Sequence, residues 1–235
     1  MGVPQTNRNP LFKWFRDQNL KYYNRNIKTP PFLDLDLFFP EHTILEENWE
    51  TIKNEICSVI NSGKKLPKFH EVDDGQEYIS DNDGISWSLL NLKLYDLWHE
   101  KNKSLCPKTC EILGSIKTVK SIYFSILAPG KHIPPHHGPY KGILRYQLAL
   151  SVPKGDCKLF VDGKPYFWTE GKGVLFDDTF THEVQNNTSE ERIALLLDVK
   201  RDIKGGFISI YDNILFRIIK GLIILNKTFS RSEVS

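Results

Sequence analysis

SIYFSIL (Ser121–Leu127), GILRYQLALSV (Gly142–Val152), KLFV (Lys158–Val161), YFW (Tyr166–Trp168), GVLF (Gly173–Phe176) and RIALLLDV (Arg192–Val199) decide the fold of this chain. All are short apolar runs separated by Gly, Pro and Asp. Such spacing is the signature of an all-β sandwich or barrel, because each run is long enough for a strand and is closed by a residue suited to a turn.

The pattern changes on both sides of this region. From Glu46, the positions Trp49, Ile52, Ile56 and Val59/Ile60 recur at helical spacing, and Gly63 sits where a helix stops, so one face of this helix is expected on a core. Residues 64–85, with Asp73-Asp74-Gly75 and Asp81-Asn82-Asp83-Gly84, read as turns and an exposed loop. An aromatic-rich stretch, Ser86–Trp98, follows, and Cys106-Pro107 leads into a short helix. At the start, Leu11, Phe12, Trp14 and Phe15 lie among Lys13, Arg16, Lys21 and Arg25 and end at Pro30-Pro31, which predicts a short amphipathic arm and linker over residues 1–35. At the end, Phe207, Ile208, Tyr211, Ile214, Leu215, Ile218, Ile219, Leu222 and Leu225 fall on one helical stripe, with Arg217, Lys220 and Lys227 elsewhere. Residues 204–235 are thus an amphipathic helix and tail that dock on something apolar. The expected class is mainly β with flanking helices, its main domain spanning 36–203 and its β core starting near 117.

With 235 residues, 40% of them hydrophobic, the chain can build a sizeable core, and a disordered chain is excluded. Lys and Arg total 31 against 29 Asp and Glu, a formal charge of +2, so no clustered excess of cations marks nucleic acid as a partner. No run approaches the roughly 18–20 apolar residues of a bilayer span. Four cysteines and no secretory leader point to a cytoplasmic location. Met1 to Thr6 formally matches a myristoylation pattern, and Cys106-x3-Cys110 lacks the second pair of a structural zinc site.

The chemistry gathers around histidine. His132, His136 and His137 fall in one hexapeptide among Pro129-Gly130, Pro134-Pro135 and Gly138-Pro139, a rigid loop, and His182 lies in another strand-then-turn segment, Leu175 to Val184. Two strand ends of a barrel can point into one mouth, where imidazole suits Fe(II), Zn, Cu or Ni.

The run Ser125 to Asp198 contains Pro129-Gly130, His136-His137-Gly138-Pro139-Tyr140-Lys141-Gly142, Leu144-Arg145, Trp168-x-Glu170-Gly171, Phe176-Asp177-Asp178-x-Phe180-x-His182-Glu183, Arg192 and Asp198-Val199. It resembles the aspartyl/asparaginyl β-hydroxylase family. Trp87 and Cys106-Pro107-Lys108-Thr109 extend the resemblance to roughly residues 85–202. It implies a double-stranded β-helix, a jelly-roll or cupin-like core, and a dioxygenase that needs Fe(II), 2-oxoglutarate and O2. His136 and His182 would be the iron ligands. The slot two residues after His136, a carboxylate in most related oxygenases and an aspartate in the lipid A hydroxylase branch, is Gly138. The third protein ligand is then absent or replaced by water, and metal and cosubstrate affinities should be coupled. Asp177 and Asp178 are conceivable substitutes, although such a pair before a turn reads more readily as capping backbone amides. Arg192 is the implied partner of the C5 carboxylate of 2-oxoglutarate, and Ser125 and Arg145 match further contacts. Gln147 stands where the family has a histidine. His137 is the alternative to His136 by a one-residue shift, and Tyr166 and Trp168 are assigned to packing.

For the substrate, the terminal segments resemble appendages of lipid-modifying members. That favours a lipid-linked or small-molecule C–H reached by an enzyme peripheral on the membrane. Gly138 points instead to aspartyl or asparaginyl side chains in a protein or peptide, although no repeat domain that would recruit one is evident. A non-catalytic metal- or ligand-binding barrel and a zinc-dependent isomerase or lyase are the other classes considered.

Overall fold

The structure is a computed structural model that describes residues 10–73, 77–225 and 232–234. In chain order its elements are α1 (Pro10–Asn26), β1 (Phe32–Leu33), α2 (Leu35–Phe38), α3 (His42–Glu47), α4 (Trp49–Asn61), α5 (Phe69–Val72), α6 (Glu77–Ser80), β2 (Trp87–Leu94), β3 (Leu97–Trp98), α7 (Glu100–Lys103), α8 (Pro107–Gly114), β4 (Val119–Leu127), β5 (His132–His136), β6 (Ile143–Ser151), β7 (Cys157–Val161), β8 (Lys164–Tyr166), β9 (Gly173–Phe176), β10 (His182–Asn186), β11 (Arg192–Lys200) and α9 (Gly206–Leu225).

The strands form two antiparallel sheets, a larger one in the order β1-β9-β6-β11-β4-β2-β3 and a smaller one in the order β5-β10-β7-β8. This is a mainly β jelly-roll with flanking helices, as expected. Strand β11 lies at the centre of the larger sheet, and its register decides what each face carries. Arg192 lies opposite Leu127, Ala194 opposite Ser125 and Leu196 opposite Tyr123. On the other side Leu196 meets Gln147 and Asp198 meets Arg145. Directly opposed residues share a face and alternate residues return to it. Ser125, Arg145, Gln147 and Arg192 therefore all project to one side.

The other side of that sheet carries Phe124, Leu148, Leu195 and Leu197. It is covered by Ile52, Ile56 and Val59 of α4 and by Cys110 and Leu113 of α8, the docking that the helical period around Trp49 predicts. Between the sheets lie Leu89, Leu127, Ala149, Val174 and Phe176, packed on Ile133, Leu159, Val161, Val184 and Trp168.

Three segments differ from the expectation. The rigid loop around His132 is strand β5, and His182 starts strand β10 directly opposite His136. Two prolines are tolerated in β5 because it is an edge strand, where a missing N–H breaks no ladder. The supposed linker after Pro31 contributes Phe32 and Leu33 to the edge of the larger sheet through β9. Within 64–85, the described residues hold α5 and α6, with Val72, Ile79 and Ser80 buried. The fully buried Lys131 clasps that stretch by donating to Ser80 O, Asn82 Oδ1 and Asp83 Oδ1. The Met1–Thr6 motif and Lys227 lie outside the described residues.

Helices α1 and α9 are joined at a buried cluster. Tyr23 of α1 and Tyr140 donate to Asp212 Oδ1 at 2.6 and 2.7 Å, and Lys200 pairs with the same carboxylate. Asp212 is 2% exposed. From the C-terminal stripe, Ile208, Leu215 and Ile219 dock beside Tyr140 and Ile143, while Phe207, Ile214, Ile218, Leu222 and Leu225 stay exposed. Among the described residues no helix is long and apolar enough to cross a membrane.

Candidate active site

Pairing of β5 with β10 brings the imidazoles of His136 and His182 together, ring centroids 4.1 Å apart and planes tilted by 52°. Each ring is oriented in the same way. His136 Nδ1 donates to Pro134 O at 2.8 Å and His182 Nδ1 donates to Phe180 O at 3.0 Å. A backbone carbonyl can only accept, so Nδ1 carries the proton in both and Nε2 keeps its lone pair. Burial keeps both rings neutral. It lowers the pKa of His136 to about 4, and it holds His182 well below the usual histidine range with the neighbouring His136 adding to the effect. Two neutral imidazoles in contact, each with Nδ1 occupied and Nε2 unprotonated, have the chemistry of a nitrogen donor pair for a divalent transition metal.

His137 is placed differently: its Nδ1 approaches Gly138 O at 3.3 Å and its side chain lines a surface pocket against helix α1. Of the two neighbouring histidines, His136 is the one whose ring lies against His182. His132 is bound to Glu183 through Nε2 at 2.7 Å.

Among the described residues no third histidine, cysteine or carboxylate joins the two to complete a metal site made of protein alone. Asp177 is consumed elsewhere. Its carboxylate pairs with Lys141 at 2.6 Å and Arg201 at 2.7 Å and accepts from Thr179 N and Oγ1, so capping and ion pairing account for it. Asp178 is buried and is related to Gly138 by shape: a Cβ built on Gly138 would lie 2.5 Å from both its carboxylate oxygens. The carboxylate of Asp178 thus fills the space where a side chain at 138 would begin. Burial, with Asp198 and Asp177 nearby, holds its carboxyl up to about 7 against the pull of Arg145. Gly138→Ala should cost about 1–3 kcal/mol by overpacking, or about 2–4 °C of Tm per kcal/mol in a chain of this size. Thermal denaturation of the metal-free protein checks this; an unchanged Tm would show that Asp178 moves aside freely.

On the larger sheet the four candidate cosubstrate residues project into the space between the sheets, in successive rows. Arg192 is 1% exposed, and its Nε and Nη1 have no hydrogen-bond partner among the described residues. Its guanidinium lies over the Trp168 ring, 4.9 Å from the centroid. Burial without a counter-charge draws its pKa down to about 10. Ser125 accepts a hydrogen bond from Trp87 Nε1 at 2.9 Å, which leaves the hydroxyl proton free to be donated. Gln147 is buried, and its carboxamide oxygen has no hydrogen-bond partner among the described residues. Arg145 is braced by Asp198 at 3.0 Å and Asp178 at 3.5 Å, with Tyr123 beneath it and donating to Asp198. Its Nε remains unpartnered.

A run of orphaned buried polar atoms is costly unless a ligand completes it. A buried guanidinium beside a free hydroxyl proton fits a carboxylate, and two imidazoles fit a metal at the other end of the same space. The residues present therefore fit iron and a dicarboxylic keto acid. Sequence reasoning missed two members of this set. Trp168, assigned to packing, also carries the ring under Arg192, and Trp87 orients Ser125. Only the cross-strand register reveals either role.

Residues 46–202 match the aspartyl/asparaginyl beta-hydroxylase family. The chain is 34% identical over 197 residues to an ornithine lipid ester-linked acyl 2-hydroxylase of Rhizobium tropici, covering 83% of this chain and 68% of that protein. It is 34% identical over 165 residues to the aspartyl/asparaginyl beta-hydroxylase of Mus musculus, covering 66% of this chain and 21% of that protein. A solved prolyl-4-hydroxylase of Pseudomonas putida superposes with a TM-score of 0.47 at 15% identity, covering 68% of this chain and 89% of that one. Its relatives are hydroxylases, the match spans more than half of its length, and the chain belongs to the aspartyl/asparaginyl β-hydroxylase family.

Proposed function

We propose that the protein is an Fe(II)- and 2-oxoglutarate-dependent dioxygenase that hydroxylates an unactivated C–H of a lipid-linked or small-molecule substrate. The observation that carries this reading is Arg192, a buried guanidinium with unpartnered nitrogens, in the same inter-sheet space as a pair of metal-ready imidazoles. His136 and His182 hold the metal through Nε2. Arg192 and the Ser125 hydroxyl fix the far carboxylate of 2-oxoglutarate. Arg145, kept in place by Asp198 and Asp178, and Gln147 line the approach to the near end. Trp168 and Phe176 keep water from the space between. When bound, iron and the keto acid would supply the chemistry: 2-oxoglutarate would lose CO2 and become succinate, with one atom of O2 in the new carboxylate and the other in a hydroxyl at the substrate carbon.

The likeness to an acyl 2-hydroxylase of a lipid supports the lipid-linked class. The exposed apolar faces of α1 and α9 support work at a membrane surface, with the protein peripheral to the bilayer. Hydroxylation of aspartyl or asparaginyl side chains is a second reading, favoured by Gly138 and by the likeness to the mouse protein. The test is succinate release from 2-oxoglutarate under air with Fe(II), offered in parallel an acyl-linked amino lipid and an Asp/Asn-containing peptide. Release should need metal and be stimulated several-fold by the lipid. Metal-independent release sinks the oxygenase reading, and stimulation by the peptide alone sinks the lipid class.

A further inference from the structure

An open surface pocket of about 540 Å3 lies between helix α1 and the turns next to the imidazole pair. Helix α1 supplies one wall through Asp17, Leu20, Lys21, Asn24 and Arg25, opposite His137 and Thr179. The five α1 positions recur at helical spacing, so one face of the helix overhangs the opening. His137 follows His136, and Thr179 follows Asp178, whose carbonyl accepts from Gly138 N at 2.7 Å, so the pocket adjoins the backbone that leads out of the metal-ready pair.

The charge of this wall is cationic. Asp17 is engaged by Arg16 at 2.8 Å. Deeper cations are spoken for: Lys141 and Arg201 by Asp177, and Arg145 by Asp198. Lys21 and Arg25 are exposed and have no ion pair among the described residues. On the preceding turns of the same helix, Leu11, Trp14 and Phe15 are exposed. Alongside, α9 exposes Ile214, Ile218 and Leu222 and is tied to α1 by the Tyr211 hydroxyl donating to Asn19 at 2.8 Å. A cationic mouth beside an apolar surface matches the two halves of an anionic amphiphile.

We propose that Lys21 and Arg25 form a headgroup subsite that takes the anionic group, phosphate or carboxylate, of an amphiphilic substrate and holds it at the mouth beside His137. This rests on the hydroxylase reading and narrows its substrate class. The helical arm is then a specificity element, placed so that an amphiphile is gripped by its charged end while an acyl C–H reaches the metal.

The test measures binding to the full chain without metal or keto acid. Monomeric dihexanoylphosphatidylglycerol, uncharged dihexanoylglycerol and inorganic phosphate are titrated by calorimetry into three proteins: the wild type, Lys21→Glu/Arg25→Glu and the control Arg217→Glu/Lys220→Glu on α9. The expected result is at least about a tenfold weaker affinity for the phosphatidylglycerol in the α1 pair, little change in the α9 pair, and dihexanoylglycerol bound equally weakly by all three. Equal losses in both pairs would mean diffuse attraction rather than a subsite, and no loss in either removes the idea. Inorganic phosphate bound as tightly as the lipid, with the same dependence on Lys21 and Arg25, would make the ligand a free anion and overturn the headgroup assignment. Because turnover is not read, a protein that keeps this selectivity but releases no succinate refutes the oxygenase reading alone. One that turns over without the selectivity refutes the subsite alone.

Discussion

His182→Ala is expected to lower Fe(II)- and 2-oxoglutarate-dependent succinate release by about a thousandfold or more, and His136→Ala by a similar factor. Loss of a group that merely orients a metal ligand costs about 10–100-fold in affinity or activity. Here the proposed ligand itself is lost, and among the described residues no third protein donor stands by to compensate. The damage should fall on the metal. The apparent Fe(II) requirement should rise steeply, and the remaining activity should recover in part at high metal concentration. Structural damage should be modest, because His182 is half-buried at the start of β10 and its ring packs edge-on against Phe176, 5.3 Å between centroids. Circular dichroism and the Tm of the metal-free variant separate the two effects. A well-folded His182→Ala protein with wild-type turnover would leave the pair without a catalytic role.

Arg192→Met should act in opposite directions on stability and on ligand response. In the metal-free protein the guanidinium is buried with Nε and Nη1 unpartnered, and the Trp168 ring is a weak substitute for an anion, worth about 0.5–2 kcal/mol. Replacing it with an unbranched apolar side chain of similar length removes that desolvation cost, so the metal-free protein should gain about 1–3 kcal/mol. For the wild type, 2-oxoglutarate at a hundred times its Kd should add about 2.7 kcal/mol, a rise of about 5–10 °C at this chain size. Arg192→Met should show no such rise. Differential scanning calorimetry with and without 2-oxoglutarate reads both effects. A variant still stabilised by the keto acid would remove Arg192 from the cosubstrate site, and one that loses several kcal/mol without ligand would mark the guanidinium as a structural group.

How much of this was legible in the sequence depends on how local the signal is. Strands β4, β6, β9 and β11 announce themselves because both of their faces are largely buried, which writes near-continuous apolar runs, whereas β7 buries alternate residues, Cys157, Leu159 and Val161. Helix α4 shows its period because one of its faces meets the core and the other meets solvent. Strands β5 and β10 were less legible. They are short and half-exposed and carry proline and histidine, so their pairing follows from the neighbouring strands rather than from their own residues. The resemblance named His136, His182, Ser125, Arg145, Gln147 and Arg192, and the sheet register sets the last four on one face. The fit of the Asp178 carboxylate against Gly138 could not be read, because it joins the ends of two strands forty positions apart in the chain. Nor could the isolation of Arg192: no property of one residue says that it will lack a counter-ion.

The carboxylate shared by Tyr23, Tyr140 and Lys200 makes the two extremities of the chain a single thermodynamic unit. Trimming from the C-terminal side past Asp212 would strand a lysine and two phenols without an acceptor and would loosen the leading helix as well, although no residue of that helix is cut. Trimming from the front would leave the same carboxylate with fewer donors and unseat the trailing helix. Loss-of-function maps drawn from progressively shortened chains would therefore blame both ends for a defect that arises at one junction.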